Sequence, residues 1–185
     1  MRFAPFAAAL ALLAAPVSAM LSEGARAPDF TTRGAIAGKV FQVHLADQLK
    51  KGPVVLYFFP AAFTGGCNAE AHAFAEAVDD FRKAGATVIG MSTDPVDVLA
   101  KFSTEKCAGR FAVASAGRSV VQAYDVAFPK QIPGLDGKPR AITSRTSYVI
   151  APDGRIAFVH SDMNPAEHVS LTLAAVRRLQ PTGAH

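Results

Sequence analysis

Cysteine is scarce in this 185-residue chain, with only Cys67 and Cys107, and tryptophan is absent. Two cysteines cannot build the disulfide framework that holds small secreted domains together. They do not form Cys-x-x-Cys, so the pattern used for dithiol exchange is missing. His44, His72, His160, His168 and His185 make no H-x-x-x-H pair and no ligand spacing with a cysteine. That argues against a zinc or copper site. Charge is also sparse: 18% of residues are charged and the net charge is +4, with no like-charge block and no basic helix. The sequence therefore carries no electrostatic footprint for nucleic acid. No apolar run reaches the ~20 residues that a membrane span requires. Internal repeats, low-complexity tracts and interdomain linkers are missing after Ala19.

Half of the residues are hydrophobic, which excludes a disordered chain. Part of that content lies in residues 1–19, MRFAPFAAALALLAAPVSA. A positive start at Arg2, a short apolar run to Leu13 and the small residues Val17-Ser18-Ala19 predict a secretory signal cleaved after Ala19. The alternative, an uncleaved anchor helix, would need a longer run. Residues 20–185 are then one domain, large enough for a hydrophobic core. Export to the periplasm and no stable membrane association after cleavage are the matching expectations. That compartment is oxidising, so the two cysteines are free to pair.

Periodicity predicts an α/β domain. Residues 20–39 look irregular, with a turn near Gly34–Gly38, and residues 40–45 alternate like a short strand. Val54-Val55-Leu56-Tyr57-Phe58-Phe59 is continuously apolar between Gly52-Pro53 and Pro60, as in a central strand buried on both faces. Phe74, Val78 and Phe81 mark one face of a helix from about Gly66 to Ala84, ended by Gly85. A strand at 87–92 follows. Asp94 is the expected N-cap and Pro95 the expected first residue of a helix reaching about Lys106. Then come a short strand at 111–113, a helical piece at 119–124 and a loop at 127–144. Strands at 146–151 and 155–159 are joined by the turn Pro152-Asp153-Gly154. The last helix is predicted over about 165–179. The order describes a helix-flanked sheet compatible with a thioredoxin-like topology.

Cys67 closes the stretch PAAFTGGC, between a strand end and a helix start. Sites in open α/β sheets gather at the carboxyl ends of strands. A helix N-terminus offers unpaired N–H groups and partial positive charge, which favour a thiolate, the nucleophilic form. Gly65 and Gly66 permit close approach to the backbone. The Thr64 hydroxyl both donates and accepts, so it suits a bridge between a thiolate and an oxygen-bearing substrate. Position alone leaves a second reading open, a buried structural cysteine.

Pro60, Thr64 and Cys67 make the pattern P-x-x-x-T-x-x-C, and FFPAAFTGGCNAEAHAF around it resembles the segment that carries the peroxidatic cysteine of peroxiredoxins. Gly24 and Ala27-Pro28-Asp29-Phe30 resemble the family's N-terminal motif. Arg145-Thr146-Ser147-Tyr148-Val149-Ile150 resembles the segment with its active-site arginine. Within the family, the chain is most similar to the bacterioferritin-comigratory, or Q-type, group. The resemblance spans nearly all of residues 20–185. It implies a thioredoxin-like fold with a central mixed sheet flanked by helices, and a thiol-dependent peroxidase that needs no metal or organic cofactor. It implies that Cys67 is the nucleophile and that Arg145 holds its thiolate and orients the peroxide. By the same resemblance, Thr64 and the amides near Gly66 bind the peroxide, and Pro60 shapes and shields the loop. The implied partners are hydrogen peroxide or an organic hydroperoxide, and an external thiol or thioredoxin-like reductant, for a monomer or weak dimer.

The chain departs from this pattern at two positions. His72 stands where many Q-type members carry a resolving cysteine, and Asn68 replaces a common threonine. Cys107, at the end of the second long helix, is the remaining internal candidate to resolve Cys67. Its alternative is an incidental thiol, with resolution by an external one. Glu70 is read as a complement to the helix dipole rather than a catalytic acid, and His160 and Asp162 as solvated surface. Three rival functions stand beside peroxide reduction. A thiol–disulfide oxidoreductase would need a cysteine where Thr64 stands. A glutathione-peroxidase-like site would need the missing tryptophan. A non-enzymatic thioredoxin-like binding protein, such as a metallochaperone, would reveal itself by metal binding.

Overall fold

The computed structural model describes residues 20–134 and 137–180. The predicted signal lies outside the described residues, and no helix among the described residues is long and apolar enough to cross a membrane. Nine strands and five helices appear there: β1 (Thr31–Ile36), β2 (Lys39–His44), α1 (Leu45–Leu49), β3 (Val54–Phe58), α2 (Gly65–Lys83), β4 (Thr87–Ser92), α3 (Val96–Glu105), β5 (Ala112–Ser115), α4 (Arg118–Ala123), β6 (Ala127–Pro133), β7 (Pro139–Thr143), β8 (Thr146–Ile150), β9 (Ile156–Ser161) and α5 (His168–Arg178). Seven strands form one mixed sheet in the order β2-β1-β5-β4-β3-β8-β9. β3, β4 and β5 run parallel, while β1 and β8 join them antiparallel. This is the thioredoxin-like, helix-flanked mixed sheet implied by the sequence.

Every residue of β3 is buried. Its alternation supplies two cores, since neighbouring side chains on a strand point to opposite faces. Val55 and Tyr57 pack with Phe74, Val78 and Phe81 of α2, and Val54, Leu56 and Phe58 pack with Ile89, Met91, Tyr124 and Tyr148 on the other face. α2 ends as predicted. Gly85 has φ +70°, and the amide of Ala86 donates to Phe81 O at 2.8 Å, the hydrogen-bond pattern that favours glycine after a helix.

One glycine sets a tight packing limit. A Cβ on Gly90 would lie 2.8 Å from Tyr57 Cζ and 2.9 Å from its hydroxyl oxygen. The Tyr57 ring cannot retreat easily because it stacks on Phe74 with centroids 4.3 Å apart. Gly90→Ala should therefore cost about 1–3 kcal/mol, as overpacking does. The urea midpoint checks this, and an unchanged midpoint would show that the ring yields.

Three local expectations are corrected. Residues 31–36 form β1, with the turn at Ala37 (φ 49°) and Gly38 (φ 77°). The 127–144 segment is not a loop: β6 and β7 pair with each other as a two-stranded ribbon. Asp94 does not cap α3, whose cap position is Pro95. The Asp94 carboxylate is buried instead. It accepts from the Ala62 amide at 2.8 Å and the Ser92 hydroxyl at 2.7 Å, and pairs with Arg140 at 2.9 Å. It thus ties the loop after β3 to β4 and to the ribbon.

Candidate active site

β3 ends at Phe58, and Phe59 stays bound on both sides. Its amide donates to Met91 O at 2.9 Å, and its carbonyl accepts from the Thr143 hydroxyl at 2.9 Å. Pro60 follows, buried and without an N–H to continue the strand. Phe63 has φ +64°, an uncommon conformation for a bulky residue. The chain then enters α2, where Cys67 is the third helical residue. The Asn68 amide makes the first helical bond, to Thr64 O at 2.8 Å. The amides of Gly65, Gly66 and Cys67 thus lie in the turn whose N–H groups have no intrahelical acceptor.

Arg145, 78 positions away in sequence, lies between β7 and β8 and is only 4% exposed. β8 pairs with β3 so that Thr146 faces Phe58, and this register sets Arg145 beside the strand end. Its guanidinium makes three contacts. Nη2 donates to Cys67 Sγ at 3.6 Å, Nη1 donates to Glu70 Oε2, and Nε donates to Met163 O at 3.0 Å. A Cβ on Gly66 would sit 3.2 Å from Nη2, so the glycine leaves room for the guanidinium.

Cys67 is 2% exposed. The sulfur therefore combines a helix N-terminus, a buried cation and an apolar surround, where electrostatic interactions are weakly screened. Thr64 takes the helix cap position, but its hydroxyl does not cap. It donates to Ala61 O at 2.9 Å and is exposed. Cys107 is fully buried in the same apolar cluster as Cys67, both thiols are free, and burial pushes the Cys107 thiol up to about 12. Among the described residues, no group of three or more His, Cys, Asp or Glu is arranged to hold a metal ion.

The structure adds residues that sequence reading assigned elsewhere. Glu70 is not a complement to the helix dipole in the first turn of α2, which holds no acidic residue: it is 1% exposed and is the counter-ion of Arg145. Burial raises its carboxyl to about 7, opposed by Arg145. Its position had a signal, since Cys67, Glu70, Ala71 and Phe74 share one helical face. A carboxylate inside an apolar stripe calls for a buried partner. His168, at the start of α5, is fully buried, and burial lowers it to about 4. His160 is half-buried with its ring 4.6 Å from that of His168, so it is not solvated surface, whereas the Asp162 side chain is exposed.

These two shifts have opposite signs in stability. The His168 value is depressed, so the unfolded chain takes up a proton first and stability falls as pH drops from about 6.5 towards 4. Glu70 is raised, so stability falls as pH rises from about 4.5 to 7. His168→Gln removes the first effect. At 1.36 kcal/mol per unit, the acid-side slope should lose up to about 3 kcal/mol over that window. Urea titrations at several pH values check it. An unchanged slope would mean that His168 does not resist protonation.

The sequence matches the AhpC/TSA family over residues 24–159. It is 30% identical to peroxiredoxin Bcp of Escherichia coli over 134 residues, covering 71% of this chain and 82% of that protein. Among solved structures, peroxidoxin BcpB of Mycobacterium tuberculosis superposes with a TM-score of 0.72 at 31% identity, over 85% of this chain and 97% of that one. The bacterioferritin comigratory protein of Xanthomonas campestris, described for alkyl peroxide reduction, gives 0.65 at 26% identity, over 79% and 90%.

Proposed function

The chain belongs to the AhpC/TSA family and is a thiol-dependent peroxidase; on that premise we propose that Cys67 is the sulfur that attacks the peroxide. The observation that carries this is the Arg145 Nη2 contact to Cys67 Sγ at the start of α2. The Cys67 thiolate attacks the terminal peroxide oxygen. An S–O bond forms, the O–O bond breaks, and its electron pair leaves on the second oxygen, which takes a proton and departs as water or an alcohol. Cys67 becomes a sulfenic acid. Arg145 and the free amides of Gly66 and Cys67 stabilise charge on the departing oxygen. Thr64 contributes once its hydroxyl leaves Ala61 O, and Pro60 keeps water from the sulfur. The substrate is hydrogen peroxide or an organic hydroperoxide. Exposed Phe63 beside the loop supports the organic class, as does the alkyl peroxide reduction described for the Xanthomonas protein.

Cys107 resolves the sulfenic acid. Its sulfur attacks Cys67 Sγ, water leaves, and a disulfide forms that an external thiol or thioredoxin-like reductant reopens. Shared membership of one apolar cluster supports the pairing. The buried thiol must first come out, so the first turn of α2 or the end of α3 unwinds. Export to the periplasm after cleavage at Ala19, and a monomer or weak dimer, complete the reading.

Mass spectrometry after one equivalent of peroxide tests the pairing. The wild type should give a Cys67–Cys107 crosslink. Cys107→Ser should stop at the sulfenic acid, with its first oxidation rate within about twofold of wild type. A lasting sulfenic acid in the wild type, without a crosslink, would overturn the pairing and assign resolution to an external thiol.

A further inference from the structure

His168 has a polar neighbour on each ring nitrogen. Nε2 lies 2.9 Å from Asp162 O. A carbonyl only accepts, so Nε2 carries the hydrogen. Burial keeps the ring neutral, so Nδ1 holds a lone pair, and the buried Ser147 hydroxyl donates to it at 2.8 Å. The network thereby assigns one tautomer.

This ring touches both supports of Arg145. One residue beyond Asp162, Met163 O accepts from Arg145 Nε, and the Asp162 amide donates to Arg145 O at 3.2 Å. The turn that His168 grips from inside is therefore the turn that grips Arg145. On its other side, Nδ1 lies 3.8 Å from Glu70 Oε1. That oxygen is buried and has no hydrogen-bond partner, while Oε2 accepts from Arg145. An ionised Oε1 meets a lone pair there, not a donor. The raised Glu70 carboxyl agrees with this arrangement.

We propose that His168, with Ser147, is a positioning residue for peroxide reduction: it holds the Asp162–Met163 turn that carries Arg145, and it denies Glu70 a second donor, so that the guanidinium charge stays directed at Cys67. This rests on Cys67 being the nucleophile. The groups around the pair come from every packed element: Cys67 and Glu70 on α2, Tyr57 on β3, Arg145 and Ser147 at β8, His160 on β9, Asp162 in the turn and Thr172 on α5. The Thr172 hydroxyl is committed to His168 O at 2.6 Å, so it does not compete for the ring.

The two parts separate by substitution in the full chain. His168→Leu removes both ring contacts. His168→Gln places an amide nitrogen where it can donate to Asp162 O but removes the Nδ1 lone pair, which frees the Ser147 hydroxyl to donate to Glu70. Peroxide consumption with dithiothreitol is measured from about pH 5 to about pH 9, beside thermal melts. His168→Leu should lose about tenfold or more in second-order rate and move its pH–rate profile up by about one unit. His168→Gln should recover the rate to within about threefold at high pH but keep a displaced profile. A folded His168→Leu with wild-type rate and profile would overturn the proposal, as would a His168→Gln that behaves like leucine. Should the leucine variant not fold, Ser147→Ala combined with His168→Gln takes its place: with the freed hydroxyl gone the profile should return to the wild-type position, and a profile displaced as in His168→Gln alone overturns the proposal. Cys67→Ser is assayed in parallel. Its inactivity beside indifferent His168 variants would sink this inference alone, whereas its undiminished turnover would sink the reading beneath it.

Discussion

Cys67→Ser is expected to lower peroxide turnover by about 10³-fold or more, near 4 kcal/mol of barrier. The hydroxyl that replaces the thiol is scarcely ionised at neutral pH and is a poor nucleophile towards an O–O bond. Nothing else in the site can take over. Cys107 is fully buried, and its thiol, pushed up to about 12, is held as the unreactive neutral form. The substitution is nearly isosteric, so the melting temperature should move little. That separates lost chemistry from lost fold. Peroxide consumption with dithiothreitol as reductant is the assay, and turnover at the wild-type rate would refute the mechanism.

Arg145→Leu should cost both activity and stability. The guanidinium holds the sulfur, the Glu70 carboxylate and the Met163 carbonyl at once. Removing it takes a donor from the reacting centre, a change that costs about 10²–10³ in rate at comparable sites. It also leaves Glu70 buried without its cation. Breaking a buried pair from one side costs about 3–5 kcal/mol. The penalty should depend on pH in a definite direction. Arg145 opposes the upward shift of Glu70, so without it the carboxyl titrates higher still. Stability of the variant then falls as pH rises above the unfolded value of about 4.5, and the deficit shrinks on acidification towards that value. Arg145→Lys keeps the charge but not the fork, and should fall between the two, with a rate loss of about tenfold. Urea unfolding at two pH values and peroxide kinetics check these effects together. A pH-independent deficit would show that Glu70 is not the group left stranded.

The elements legible in the sequence are those whose signal is local. β3 is a continuous apolar run between punctuating residues, α2 shows Phe74, Val78 and Phe81 on one face, and Pro152-Asp153-Gly154 marks the β8–β9 turn. The elements that were not legible get their reasons from partners. β1 breaks alternation with Thr31-Thr32-Arg33-Gly34. Its glycine is needed because a Cβ there would lie 2.8 Å from both Val113 O and Val43 Cγ2. α1 has five residues, too few to show a helical period. The β6–β7 ribbon is polar and proline-bearing, and among the described residues its strands pair only with each other.

The site divides in the same way. The place of Cys67 between a strand end and a helix start, with small neighbours, suits a reactive thiol and equally a buried structural one, and the motif with Pro60, Thr64 and Arg145 implies peroxide chemistry through the family resemblance. The polar support behind it was not visible. Asp94 beside Pro95 looks like a helix cap until the Ala62 amide and Arg140 are placed against it. His168 has no periodic or spacing signal, because its partners come from β8, α2 and the turn after β9.

The most direct test of the central claim is to expose the reduced protein to one equivalent of hydrogen peroxide with a sulfenic-acid trap present, and to map the modified peptides by mass spectrometry. The account predicts that oxidation appears first on Cys67, as trapped sulfenic acid or as a disulfide made from it. Consumption of the peroxide with Cys67 recovered as a free thiol would contradict it.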